Sequence, residues 1–79
     1  MHPLDRVEMV LRILSQGPQT KYQLYRSISR CAYGSLERAL KECVRRNLTT
    51  IREEVRFGNK RKVYEITERG LKFLQDLSP

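Results

Sequence analysis

Ser35, Arg38, Lys41 and Arg45 recur at three- and four-residue intervals, so on a helix they share one face, with Tyr33 at its start. Long cationic donors in a row suit the recognition of an anion rich in acceptors. A guanidinium pairs in bidentate fashion with a guanine edge, and Lys or Arg heads neutralise phosphates. A second group, Arg56, Asn59, Lys60, Arg61 and Lys62, crowds four cations around Gly58-Asn59 with no acid at the tip. That crowding costs self-repulsion, which a polyanion would relieve. Lys21, Arg26 and Arg30 are weaker candidates for phosphate contact. Each set also has a plainer reading. The helix could carry an ordinary solvated face, and the hairpin cations could serve to block edge-to-edge strand pairing.

Other chemistries fit the residues poorly. Glu53-Glu54 is the only close acidic pair, neighbours on a strand project to opposite faces, and no histidine or nucleophile accompanies them. No enzyme is expected. Cys31 and Cys43 lack a CxxC spacing and have only His2 as an imidazole companion, so neither a metal nor another cofactor is expected. On mostly helical chain at about 1.5 Å per residue the two thiols stand beyond disulfide reach and are expected to be reduced. Tyr22, Tyr25 and Tyr64 fall at apolar positions and are expected in the core, whereas Tyr33 is open to either role.

The charge is distributed unevenly. Residues 21–62 carry twelve Lys/Arg against four Glu, while the rest of the chain carries four basic and five acidic residues, so the whole net +7 resides in one stretch. Within 79 residues there is room for one domain, 1–79, with a modest core and no buried pocket for a small-molecule ligand. No run of about 18 apolar residues exists, and Asp5, Arg6 and Glu8 interrupt any secretory pattern at the N-terminus. The expectation is an intracellular, cytoplasmic protein without a membrane partner.

The elements that must hold these residues read as follows. Leu4, Val7, Leu11 and Leu14 mark a first helix near 4–16, stopped by Gly17-Pro18, with Met9 and Ile13 widening its apolar arc. Thr20-Lys21-Tyr22-Gln23 is a capping-box pattern for a short second helix ending near Ser29, with Leu24, Tyr25 and Ile28 inward. A third helix over 33–46 buries Leu36, Leu40, Cys43 and Val44, and Asn47 is placed to cap it in the left-handed conformation. Residues 49–57 and 60–67 read as strands joined by a Gly58-Asn59 turn, which pairs Ile51 with Ile66, Arg52 with Glu65 and Thr50 with Thr67. Thr67 caps a last helix bearing Leu71, Phe73, Leu74 and Leu77.

Helix, short turn, basic helix and basic hairpin form the winged helix-turn-helix arrangement. The segments Tyr33-Gly34-Ser35-Leu36-Glu37-Arg38-Ala39-Leu40 and Arg61-Lys62-Val63-Tyr64-Glu65-Ile66-Thr67-Glu68-Arg69-Gly70 resemble the winged-helix regulators of the PadR and MarR type, including small archaeal and archaeal-virus members. Two features depart from that pattern. Glu37 stands where an aromatic residue is usual, and residues 1–79 include no long C-terminal dimerisation helix. The resemblance implies an α+β fold: a three-helix core, a two-stranded β-hairpin wing and a short C-terminal helix. It also implies sequence-specific binding of double-stranded DNA by a transcriptional regulator. The third helix would enter the major groove, braced by the second, with the wing on the backbone or in the minor groove. A protein-interaction module built on the same fold, or RNA binding through the same basic face, is the alternative. Met9, Ile13, Phe73 and Leu77 lie beside the core-forming faces of the terminal helices, so a homodimer closed through those helices is expected.

Overall fold

Apolar residues at helical spacing set the first helix. In a computed structural model, which describes residues 3–28 and 33–77, with side chains from Arg6 to Ile28 and from Gly34 to Leu77, α1 spans Pro3–Leu14. It buries Val7, Val10, Leu11 and Leu14, while Met9 and Ile13 are half-buried against the same core. Arg30, Cys31 and the side chains of Leu4 and Tyr33 lie outside the described residues.

The chain then forms a two-residue strand, β1 (Gln19–Thr20), before α2 (Lys21–Ser27). Thr20 serves both elements. Its extended backbone pairs with Val63, and its hydroxyl accepts from the Gln23 amide at 3.2 Å while the Gln23 side chain accepts from the Thr20 amide at 2.9 Å. The capping box is therefore present as expected, but the sheet has a third strand. Two residues are too few for a hydropathy period, and pairing against the hairpin alone makes them a strand. The helix α2 buries Leu24 and Ile28. Tyr25 and Tyr22, expected inside, are 37 % and 68 % exposed, because seven residues offer only one narrow inward stripe.

In α3 (Tyr33–Arg45) the residues Leu36, Ala39, Leu40 and Cys43 are buried and Val44 is half-buried. The helix ends in a Schellman turn. Asn47 is left-handed (φ 60°), the Leu48 amide donates to the Cys43 carbonyl at 2.8 Å, and the Asn47 amide donates to that of Val44 at 3.1 Å. Leu48 is buried behind that turn, and β2 (Thr49–Arg56) starts directly after it. The sheet is antiparallel in the order β1-β3-β2, with β3 spanning Asn59–Ile66.

The hairpin register differs from expectation by two residues. Thr49 pairs with Ile66, Ile51 with Tyr64, Glu53 with Lys62, Glu54 with Arg61 and Arg56 with Asn59, so Phe57-Gly58 makes the turn instead of Gly58-Asn59. A two-residue slip keeps every side chain on its expected face. Two things favour it over the more turn-prone Gly-Asn. It sets two acids opposite two bases, where the expected register has Glu53 facing Tyr64 and Glu54 facing Val63. The base of the hairpin, its open end, is also held. The Thr67 amide donates to the Leu48 carbonyl at 3.0 Å and the Thr67 hydroxyl donates to the Asn47 carbonyl at 2.7 Å.

The same hydroxyl accepts from the Gly70 amide at 3.1 Å, making Thr67 the N-cap of α4 (Glu68–Leu77). Leu74 faces the core, Phe73 is half-buried, and Leu71 and Leu77 are 42 % and 45 % exposed. Gly70 is buried, and a Cβ there would overlap the Leu48 carbonyl oxygen and stand 2.7 Å from the Ile66 side chain. Gly70→Ala improves helix propensity by about 1 kcal/mol. It is nevertheless expected to destabilise the fold by about 1–3 kcal/mol, since the overlapping atom is backbone and cannot rotate away. Thermal melting followed by circular dichroism checks this, with a midpoint lowered by about 4–8 °C per kcal/mol in so small a domain. A raised midpoint would show that α4 packs with room to spare.

Candidate nucleic-acid interface

The outer side of α3 is a single stripe. Gly34, Arg38, Lys41 and Arg45 are exposed at spacings of four, three and four, and the opposite side is core throughout. Ser35, half-buried, flanks the stripe beside Arg38 in an open groove of about 330 Å³ between α1 and α3, which Arg6 and Arg46 also line. Among the described residues neither Arg38 nor Lys41 lies within ion-pair distance of a carboxylate. Arg45 differs. Its guanidinium meets Glu42, with the Arg45 Nε at 3.1 Å from one carboxylate oxygen, and that hydrogen bond holds the Glu42 carboxyl below its ordinary range. Solvent screens such an exposed pair, so it contributes little to stability. It does mean that an incoming phosphate must compete for Arg45, which leaves Arg38 and Lys41 as the readier donors.

The second helix is tied to the third by an ion pair. Lys21 Nζ donates to Glu37 at 3.1 Å. Lys21, expected as a backbone contact, is thus engaged in bracing α2 against α3, and Glu37, which departs from the PadR-type pattern, is its acceptor. Arg26 stacks over the Tyr22 ring at 5.9 Å. These residues line an open groove with Arg61 and Lys62 of the hairpin, so α2 and β3 together form a second basic surface.

Along the hairpin the charges divide by height. Arg52, lower on the hairpin, lies between Glu54 (3.8 Å) and Glu65 (4.0 Å), and Arg56, next to the turn, reaches back to Glu54 at 4.0 Å. Lys62 and Arg61 stand across from Glu53 and Glu54. From Val55 to Lys60 no acid remains. Lys60, Arg61 and Lys62 are exposed, and among the described residues none has a carboxylate within 4.0 Å. Ile51 and Tyr64 face Leu40 and Val44 of α3, with Lys41 and Arg45 beside them. By strand alternation Lys62 and Lys60 belong to that same face of the hairpin.

Three features were not read from the residues alone. Phe57 is 97 % exposed in the turn with φ 51°, and Val55 beside it is 66 % exposed. The alternation Ile51, Glu53, Val55, Phe57 gives their shared face, and only the structure shows that Ile51 alone of them reaches the helix layer. Arg46 lies over the Phe73 ring at 5.3 Å. Burial pushes the Cys43 thiol up to about 12, so it stays protonated and inert at physiological pH.

Four helices and a three-stranded antiparallel sheet in this order make the winged helix-turn-helix fold, and its structural neighbours include PadR-family and MarR-family transcriptional regulators with TM-scores of 0.76–0.84. A PadR-family transcription regulator from Clostridium difficile R20291 superposes with a TM-score of 0.84 at 23 % identity, covering 91 % of this chain and 81 % of that one. Bacillus subtilis PadR in complex with operator DNA superposes at 0.80 and 18 % identity over 90 % of this chain and 45 % of its own. A MarR-family regulator from Enterococcus faecalis V583 superposes at 0.76 and 20 % identity over 86 % of this chain and 61 % of its own. These neighbours are transcriptional regulators, which are not enzymes. No family model matches the chain, and no curated protein matches it by sequence. No helix among the described residues is long and apolar enough to cross a membrane.

Proposed function

We propose that this chain is a DNA-binding transcriptional regulator that reads double-stranded DNA with α3 and steadies itself with α2 and the wing. The observation that carries the reading is the stripe of Arg38 and Lys41 on a helix whose other side is wholly core. The acid-free wing tip from Val55 to Lys60 stands on the strands packed beside that helix. A structural neighbour was crystallised with operator DNA, which supports a duplex as the polyanion. Arg38 lies in the second turn of α3, where a groove-inserted helix meets base edges, and Ser35 beside it can donate to a base or a phosphate. Lys41 and Arg45 lie further along the helix and suit phosphates, as do Arg56, Asn59, Lys60, Arg61 and Lys62 on the wing. Tyr33, Arg26 and Arg30 are further candidate contacts. Binding to a selected duplex in a salt titration tests the reading as a whole. A steep loss of affinity with salt is expected, and a flat response would point to a protein-docking module.

Arg38→Ala is expected to weaken binding to the preferred site by about 1–3 kcal/mol and to relax preference at one base position. Equal loss on all sequences in a competition assay would reassign Arg38 to a phosphate.

Neutralising Lys60, Arg61 and Lys62 together is expected to weaken binding to every duplex and to flatten the salt slope by about one unit per lost phosphate contact. A slope equal to the parent's would leave the wing in solvent.

The regulator is further proposed to act as a two-fold dimer through α1 and α4. Support comes from Met9, Ile13 and Phe73, half-buried at the rim of the core, and from Leu77, exposed one turn beyond Phe73. Two copies would present recognition helices about one turn of DNA apart and read a palindromic site. Light scattering at micromolar concentration should give twice the chain mass, and Leu77→Glu should halve it. A parent chain that scatters as a monomer and binds one half-site would rule the dimer out.

A further inference from the structure

The wing tip combines features that phosphate contact alone does not call for. Its turn presents the aromatic ring of Phe57, 97 % exposed, with Val55, 66 % exposed, two residues before it. Cations flank both: Arg56 between them, then Lys60, Arg61 and Lys62 across the turn. The third strand pairs only with Tyr64 and Val63, so beyond those residues the hairpin stands as a two-stranded ribbon. About five residues per strand then project roughly 15 Å, at about 3.3 Å each. Phe57 also holds a left-handed backbone (φ 51°) that a bulky side chain rarely adopts, although Asn59 two residues on would accept it readily. A large apolar ring in water on a basic, projecting tip needs a partner that is anionic outside and apolar within. Duplex DNA has that make-up, with phosphates along the groove and stacked bases at its floor.

Resting on the reading of this chain as a duplex binder, we propose that Phe57 is a wedge. In the complex the wing cations hold the phosphates on either side of the minor groove, and the Phe57 ring enters between two base pairs, partly unstacking them and bending the duplex towards the major groove. The site of insertion is then chosen by how easily a step opens, which favours pyrimidine–purine steps such as TA under the wing. Specificity would thus extend to positions where no hydrogen bond is made to a base.

The test uses the full chain on its selected duplex, with end-to-end fluorescence transfer for the bend and 2-aminopurine placed in the sequence beneath the wing. The parent should shorten the end-to-end distance and brighten the 2-aminopurine as its stacking is lost. Phe57→Ala should abolish both signals and weaken binding by about tenfold or more, while leaving the salt slope unchanged because no phosphate contact is removed. Phe57→Leu, which keeps an apolar wedge, should retain the bend. A Phe57→Ala protein that binds and bends like the parent overturns the wedge but leaves the regulator reading standing. A Phe57→Ala change that alters the mass of the chain in solution and not the bend makes the tip a protein contact, which also overturns it. If the parent chain shows no salt-dependent duplex binding at all, the regulator reading falls and the wedge with it.

Discussion

The joint at Thr67 sets the geometry on which the rest depends. One hydroxyl donates to a carbonyl of the loop after α3, at Asn47, and accepts from the first turn of α4, at Gly70, while the Thr67 amide closes the base of the hairpin on Leu48. Three elements meet there without space for a methyl group, as the contacts around Gly70 require. Because the joint holds Ile66 opposite Thr49, it sets every pair above it, and the turn must fall at residues 57 and 58. A contact at one end of the hairpin therefore decides which side chains stand at the other.

The joint and the turn compete. Gly58-Asn59 is the better two-residue loop in isolation, since both residues tolerate positive φ, and placing Phe57 in the left-handed region instead costs about 1–2 kcal/mol. Ladder pairing, two opposite-charge pairs and the buried joint outweigh that cost. The result is a strained aromatic at the tip and Asn59 drawn into the strand.

Charge is handled by position as well as by number. Acids are spent where bracing is needed: Glu37 on Lys21 between helices, Glu42 on Arg45 along α3, Glu54 and Glu65 around Arg52 low on the hairpin. Arg38 and Lys41 on the outer stripe of α3, and Lys60, Arg61 and Lys62 on the upper wing, have no carboxylate within 4.0 Å among the described residues. Part of the net charge of +7 is thus carried on projecting elements, where a polyanion can reach it.

Much of this was legible in the residues, because local chemistry is short-ranged. Helical spacing of Leu36, Leu40 and Cys43 placed the basic stripe of α3 outward, Thr20 and Gln23 declared the start of α2, Asn47 the end of α3, and the β-rich runs on either side of Gly58 the hairpin. These follow from side-chain volume, capping and backbone preference within a few positions of each other. What only the tertiary structure decided were relations between distant segments. Thr20 became a strand residue because Val63 lay beside it, Lys21 found Glu37 sixteen positions away, and the hairpin register was set by Thr67 against Asn47 across twenty residues. The exposure of Tyr22, Tyr25 and Phe57 belongs to the same class. Whether an apolar side chain is covered depends on which neighbouring element arrives over it, and a linear pattern carries the side chain's face but not the neighbour.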